Sequence, residues 1–173
     1  MKLIVVVDEN WGIGKDGDQP YHIPEDQRFF RAQTLGKAIV LGRVTLAAFP
    51  GGKPLAGRTN IVMTRDALKL DAAGVITCDG LAALAEILRD YDTDDVYVAG
   101  GQQVYEMLLN YCDTAYVTKI FASPDVDRYF PNLDVLPNWS LAAQSERKSH
   151  NGVGFCFCEY KNAAPQLLQI QCP

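Results

Sequence analysis

The chain has 173 residues, 48% hydrophobic and 21% charged, the balance of an ordinary globular domain. Its net charge of −5 argues against non-specific nucleic-acid binding, which needs a basic face, while leaving room for a local basic pocket that takes a phosphate. No apolar run approaches the roughly 20 residues of a membrane span.

The N-terminal run Leu3 to Val7 is too short for a signal peptide, is closed by Asp8, and reads as a buried strand. Glycine-rich sequence follows. Gly12-Ile13-Gly14-Lys15-Asp16-Gly17 is a literal G-x-G-x-x-G, but Asp18-Gln19-Pro20 continues the loop and no helix opens directly after it. A dinucleotide fingerprint needs that helix, so a mobile loop covering a site is the better reading. Pro24 suits the first turn of a helix predicted from Glu25 to Thr34 and ending near Gly36. Asp26, Phe29, Phe30 and Gln33 share one face of it, and Glu25 faces water. An acid on an apolar stripe is costly to bury without a partner. Asp26 is therefore either an acid placed for the helix dipole or a ligand-binding carboxylate.

Continuous apolar runs predict strands at Ala38 to Leu41, Asn60 to Met63, Gly74 to Thr77 and Val96 to Ala99, covered on both faces as in parallel sheets. A short helix follows Gly42. Asp79 is placed to cap Leu81 to Asp90, where Leu81, Leu84 and Leu88 align, and another helix starts at Gly101 with Val104, Leu108 and Tyr111 inward. Thr114 to Ile120 reads as a strand. Trp139 to Lys148 and Phe155 to Lys161 flank Asn151-Gly152, a strong hairpin signal. The fold expected is α/β: one domain over residues 1–162, a predominantly parallel sheet of about eight strands finished by an antiparallel C-terminal hairpin, and about four flanking helices. Residues 163–173 form a tail to which no role is assigned, although Leu167, Leu168 and Ile170 could dock.

Cys78, Cys112, Cys156, Cys158 and Cys172 contain no C-x-x-C pair and only two histidines are present, so no metal site is expected. Cys156 and Cys158 alternate on a strand toward one face and read as small core residues in a reducing cytoplasm. Trp11 and Trp139 read as packing aromatics, and neither His22 nor His150 is given a catalytic role.

Anion chemistry fits three strand ends. Gly42-Arg43-Val44-Thr45 and Gly100-Gly101-Gln102-Gln103-Val104-Tyr105 each put glycine, free N–H groups and a helix start after a strand. Thr64-Arg65 adds a hydroxyl beside a guanidinium. Together they suit a ligand with several phosphates, such as a dinucleotide at the carboxyl ends of the strands.

With these residues in view, the chain resembles the dihydrofolate reductases over about residues 2 to 161. The likeness rests on the order and spacing of Gly12-Ile13-Gly14, Pro20, Pro24-x-Asp26, Phe30, Gly42-Arg43-x-Thr45, Leu55-x-Gly57-Arg58-x-Asn60, Gly100-Gly101-x-x-Val104-Tyr105, Thr118 and Asp127-x-x-Phe130-Pro131. It implies reduction of 7,8-dihydrofolate to tetrahydrofolate by hydride transfer from NADPH to pterin C6, with N5 protonated. It also implies a cytoplasmic monomer with antifolates as further small-molecule partners.

Residue by residue, the resemblance assigns Asp26, supported by Thr118 and with Tyr21 beside it, to the pterin and its protonation. Ile4, Val5, Gln27, Phe30, Phe49, Leu55, Ala99 and Tyr105 would contact substrate, and Arg58 would clamp its α-carboxylate. Val6, Ile13, Gly14, Gly17, Asp18, Gly42, Arg43, Val44, Thr45, Met63, Thr64, Arg65, Gly100, Gly101, Gln102, Gln103 and Val104 would hold the cofactor. In that set Arg65 is the candidate for the 2′-phosphate, and Gly100-Gly101 for the family's cis peptide. The segment Glu9 to Ile23 would be the lid, braced by the loop around Asp127. Tyr21, Gln27, Leu46 and Ala99 depart from the family pattern and bear on pocket shape. Two other readings are a reductase of the same fold acting on a pyrimidine or flavin precursor, and a non-catalytic nucleotide-binding module. Pro24-x-Asp26 with Arg58 speaks against the former, and the retained Asp26 and Thr118 against the latter.

Overall fold

Strand β1 (Lys2–Val7) occupies the middle of the sheet because its side chains serve two layers: Leu3, Val5 and Val7 pack on one side, Ile4 on the other. The structure is a computed structural model that describes residues 1–19, 21–66 and 73–168. Pro20, Ile170 and Cys172, singled out above, lie outside the described residues.

After β1 come β2 (Gly12–Gly14), α1 (Pro24–Thr34), β3 (Ala38–Gly42), α2 (Arg43–Ala48), β4 (Thr59–Met63) and β5 (Val75–Cys78). There follow α3 (Leu81–Leu88), β6 (Val96–Gly100), α4 (Gln102–Leu108), β7 (Thr114–Phe121) and β8 (Arg128–Tyr129). The chain closes with β9 (Trp139–Gln144), β10 (Lys148–His150) and β11 (Val153–Asn162). Eight strands run in the order β10-β11-β7-β1-β6-β3-β4-β5, with β9 a ninth member paired to β11. The pairings from β7 through β5 are parallel, and those of β11 with β7, β9 and β10 are antiparallel. The expected architecture is thus present.

Helices α1 and α2 cover one face, where Phe29, Phe30 and Leu46 meet Ile4, Ile39, Leu41, Val62 and Tyr97. Helices α3 and α4 cover the other through Leu84, Val104, Tyr105 and Leu108. Strand β6 alternates accordingly: Val96 and Val98 face α3 and α4, while Tyr97 and Ala99 face α1. Parallel strands end together, so the carboxyl ends of β1, β3, β4 and β6 gather the segments expected to bind ligand.

Three details differ from the sequence reading. The run Trp139 to Lys148 is two strands, because Ser145 interrupts it: its hydroxyl accepts from the Phe157 N–H at 3.0 Å while its own N–H donates to the Phe157 carbonyl at 2.8 Å. Asp79 does not cap α3. Gly80 stands at the cap position, with no side-chain bond to the first turn. Strands β2 and β8 form a separate two-stranded ribbon that no periodicity announced.

The tail is tied down as far as residue 168: Ala163 N–H donates to Asn138, Gln166 N–H to Asn110, and Leu168 packs on the core while Leu167 stays exposed. Cys78, Cys112, Cys156 and Cys158 are buried free thiols, with the sulfurs of Cys156 and Cys158 3.7 Å apart on the same face. Among the described residues no helix is long and apolar enough to cross a membrane, and no group of acids, cysteines or histidines is arranged to hold a metal.

Candidate active site

The cleft is built where α1 crosses the ends of β1 and β7. Helix α1 starts on Pro24 and buries its aromatic stripe, which carries Asp26 inward: Phe29 lies 4.8 Å from Phe157 and 5.8 Å from Tyr116 between ring centroids. Gln33, on the same stripe, accepts from the Tyr97 hydroxyl at 3.1 Å, and Glu25 turns outward to Lys148 at 3.7 Å.

Asp26 Oδ1 accepts from the hydroxyl of Thr118, a buried residue of β7, at 2.6 Å. Burial raises the Asp26 pKa above the usual carboxylate value, and the Thr118 bond only partly opposes it. Among the described residues no cation pairs with this carboxylate. Such an acid is poised for a partner that brings donors or positive charge. Tyr105 stands close by. Its hydroxyl donates to the Ile4 carbonyl at 2.7 Å, and burial, with the charge of Asp26 added, pushes its phenol up.

The apolar wall comprises Ile4, Phe30, Phe49, Leu55 and Ala99 around Ile39, Leu41 and Leu46. Arg58 closes one end. Its guanidinium carbon stands 6.0 Å from the Phe30 ring centroid, its Nε donates to Thr34 Oγ1 at 3.0 Å, and its Nη1 donates to the Ala56 carbonyl at 3.0 Å. Partial burial and the charge of Arg31 lower its pKa, the mark of a cation held without an anion. Two polar residues brace this corner: Thr34, which pattern reading passed over, and Asn60, which it placed in a motif without a role. Thr34, fully buried, also donates to the Phe30 carbonyl at 2.8 Å. Asn60 knots the turn before β4, accepting from Leu55 N–H at 2.9 Å and donating to the carbonyls of Leu55 and Arg58 at 3.0 and 3.1 Å. The signal available for both is a polar side chain placed inside an otherwise apolar element.

The other end is a cradle between two strand–helix junctions. The peptide Gly100–Gly101 is cis. A Cβ on Gly42 would come within 3.8 Å of the Gly101 nitrogen, and one on Gly101 would come within 3.2 Å of Thr45 Oγ1. The starts of α2 and α4 therefore approach through glycine, and neither has a side chain capping its N–H groups. Arg43 and Arg65 are exposed, and Thr64 Oγ1 accepts from Asp66 N–H at 3.2 Å. This open backbone with nearby guanidiniums fits the phosphates of a dinucleotide.

The segment before α1 lies over this cleft. A Cβ on Gly17 would meet Val44 of α2 at 3.2 Å, and Val6, Ile13 and Tyr21 line one narrow cavity with Gln19 and Ile120. Gly14 is buried, and Asp18 is exposed with its Oδ1 on Gln19 N–H at 2.8 Å. Met63 and Val104 pack on the core beside the cradle. Three residues sit less simply than their assignments suggest. Val5 points its side chain to the α4 layer, Gln27 is exposed, and the Gln102 side chain turns away to Tyr129 and Glu106. Gln103 is exposed.

Residues 1–162 match a family model described as dihydrofolate reductase. The dihydrofolate reductase of Neisseria meningitidis serogroup A is 36% identical over 159 residues, covering 91% of this chain and 95% of that protein. That of Bacillus subtilis is 33% identical over 168 residues, covering 95% and 96%. A solved structure of dihydrofolate reductase from Enterococcus faecalis, complexed with NADP(H) and RAB-propyl, superposes with a TM-score of 0.78 at 31% identity, covering 93% of this chain and 95% of that one.

Proposed function

The chain belongs to the dihydrofolate reductase family, and we infer that the cleft beside α1 is where its reaction, the NADPH-dependent reduction of 7,8-dihydrofolate to 5,6,7,8-tetrahydrofolate, takes place. The observation that carries this assignment is the half-buried Asp26, held by Thr118 at 2.6 Å with its pKa raised and, among the described residues, no cation paired with it.

In this reading Asp26 takes the 2-amino group and N3 of the pterin, and Thr118 fixes the carboxylate for that bidentate contact. The raised pKa lets Asp26 hold a proton further toward neutrality than an exposed acid and so promote protonation of N5, through water. We take Tyr21, which lines a cavity with Val6 and Ile13, as the neighbour of Asp26. Phe30, Phe49 and Leu55 exclude solvent from the ring, and Arg58 offers its remaining donors to the α-carboxylate. The cradle of Gly42, Arg43, Thr45, Gly100 and Gly101, with Thr64 and Arg65, fits the cofactor phosphates, and Arg65 selects the 2′-phosphate. Bound there, NADPH supplies the hydride. Ile13 and Gly14 cover the reacting end.

The surplus of acid elsewhere supports a small-molecule substrate rather than nucleic acid. Buried free thiols suit a reducing cytoplasm. We read residues 1–162 as the working unit, acting as a monomer that antifolates would inhibit at the pterin site. The test is NADPH oxidation with 7,8-dihydrofolate, with tetrahydrofolate identified as product. Turnover is expected, and a folded protein that binds NADPH without turning over would overturn the reading.

A further inference from the structure

Gln102 opens α4 one residue beyond the Gly100–Gly101 step, yet its side chain leaves the cleft. Its Oε1 accepts from the main-chain N–H of Tyr129 at 3.0 Å, and its Nε2 donates to Glu106 Oε1 at 2.8 Å. Glu106, one turn along the helix, thus fixes which end of the amide faces Tyr129.

Tyr129 belongs to β8, which is held on its other edge by β2: Gly12 pairs with Tyr129 and Gly14 with Arg128. Asp127 N–H donates to the Gly14 carbonyl at 3.0 Å, and Phe130 N–H to the Trp11 carbonyl at 2.8 Å. The N–H groups of Asp127 and Phe130, which flank β8, therefore bond the chain in and just before β2, while that of Tyr129 points to α4. The Phe130 ring adds to the same seam, 4.9 Å from Tyr105 of α4 and 6.1 Å from Trp11 between centroids.

A two-residue strand and a three-residue strand cannot set their own place. We propose that Gln102 is a positioning residue for the reduction: by holding β8 it sets β2, and with it Ile13 and Gly14, over the reacting end of the cofactor. This rests on the cleft assignment above. It makes the α4 start do two things. Its main chain faces the phosphates, and its first side chain fixes the ribbon that covers the nicotinamide.

The experiment compares wild type, Gln102→Met, and the double variant Gln102→Glu/Glu106→Gln. Methionine keeps length and helix preference and loses the acceptor. The double variant reverses the amide and acid, so a carboxylate accepts from Tyr129 and an amide at 106 donates to it. Calorimetry measures NADPH and 2′-phosphoadenosine diphosphoribose, which carries the phosphates without the nicotinamide, and stopped flow measures hydride transfer. Gln102→Met should bind NADPH about fivefold more weakly and transfer hydride more slowly, with the fragment unaffected, the scale of one solvent-accessible hydrogen bond. The double variant should recover both.

Equal losses for both ligands would mean a direct phosphate contact, and unchanged NADPH binding or failure of the double variant to recover would mean no positioning role. Each overturns the proposal. A wild type that binds neither ligand overturns instead the cleft assignment on which it rests.

Discussion

Arg58 reaches the cleft with two of its donors already committed, to Thr34 and to the Ala56 carbonyl. That is an arrangement for orientation: a guanidinium pinned on one edge presents the other edge in a fixed plane. Thr34→Val keeps the shape and removes the acceptor. We expect about a fivefold rise in KM for dihydrofolate, from the weakened hold on a charge-assisted pair, and little change for a pterin that lacks the glutamate carboxylate. Thr34→Ser should restore the wild-type KM, and steady-state kinetics with both substrates decide it. Arg58→Lys should fare worse than Thr34→Val, because an ammonium cannot form the fork.

At the scale of elements, the antiparallel end of the sheet turns at Asn151 and Gly152, both with positive φ, 49° and 81°. A Cβ on Gly152 meets nothing within 4 Å, so only backbone conformation is at stake there. Gly152→Ala should cost about 1 kcal/mol in urea unfolding and leave kcat unchanged, since no residue assigned to the cleft lies on that hairpin. This turn was plain in the sequence, as were the parallel strands and the Asp26 face of α1, because each follows from a local rule: glycine at positive φ, a buried apolar run, a 3.6-residue period. What sequence did not show depends on distant partners. Ser145 breaks a strand because Phe157 lies opposite it. The β2–β8 ribbon is too short to carry a period. Asp79 looked like a cap only because Gly80 is silent about which residue ends the turn. Within the site, Asp26, Thr118, Arg58 and the glycines were legible through their motifs. The bracing by Thr34 was not, and Asn60, though part of a quoted motif, gave no sign of the bonds it makes, because a single polar residue in an element does not reveal what it touches.

The whole molecule carries a net charge of −5, yet its cations are not evenly neutralised. Lys2, Lys15, Lys37, Arg89, Lys119, Arg128, Lys148 and Lys161 each pair with an acid, whereas Arg43, Arg58 and Arg65, like Arg28, Arg31, Lys53 and Arg147, have no carboxylate partner among the described residues. Free guanidiniums at the two ends of one cleft make a local positive field in an acidic protein, suited to a ligand with phosphates at one end and a carboxylate at the other. Raising the ionic strength should therefore raise the KM for NADPH in the wild type, and less so in Arg43→Ala/Arg65→Ala, as read from initial rates. Between those ends stands Asp26. Because burial raises the Asp26 pKa, its proton is kept above the ordinary carboxylate value and is lost as pH rises through the raised one. The direct measurement is the pH profile of hydride transfer in single turnover, for wild type and for Asp26→Asn, which keeps the acceptor for Thr118 but has no proton to give. The wild-type rate should fall with rising pH, and the variant should be slower by about 10²- to 10⁴-fold and lack this limb. A variant that transfers hydride at the wild-type rate at neutral pH, or that keeps the same limb, would contradict this role of Asp26.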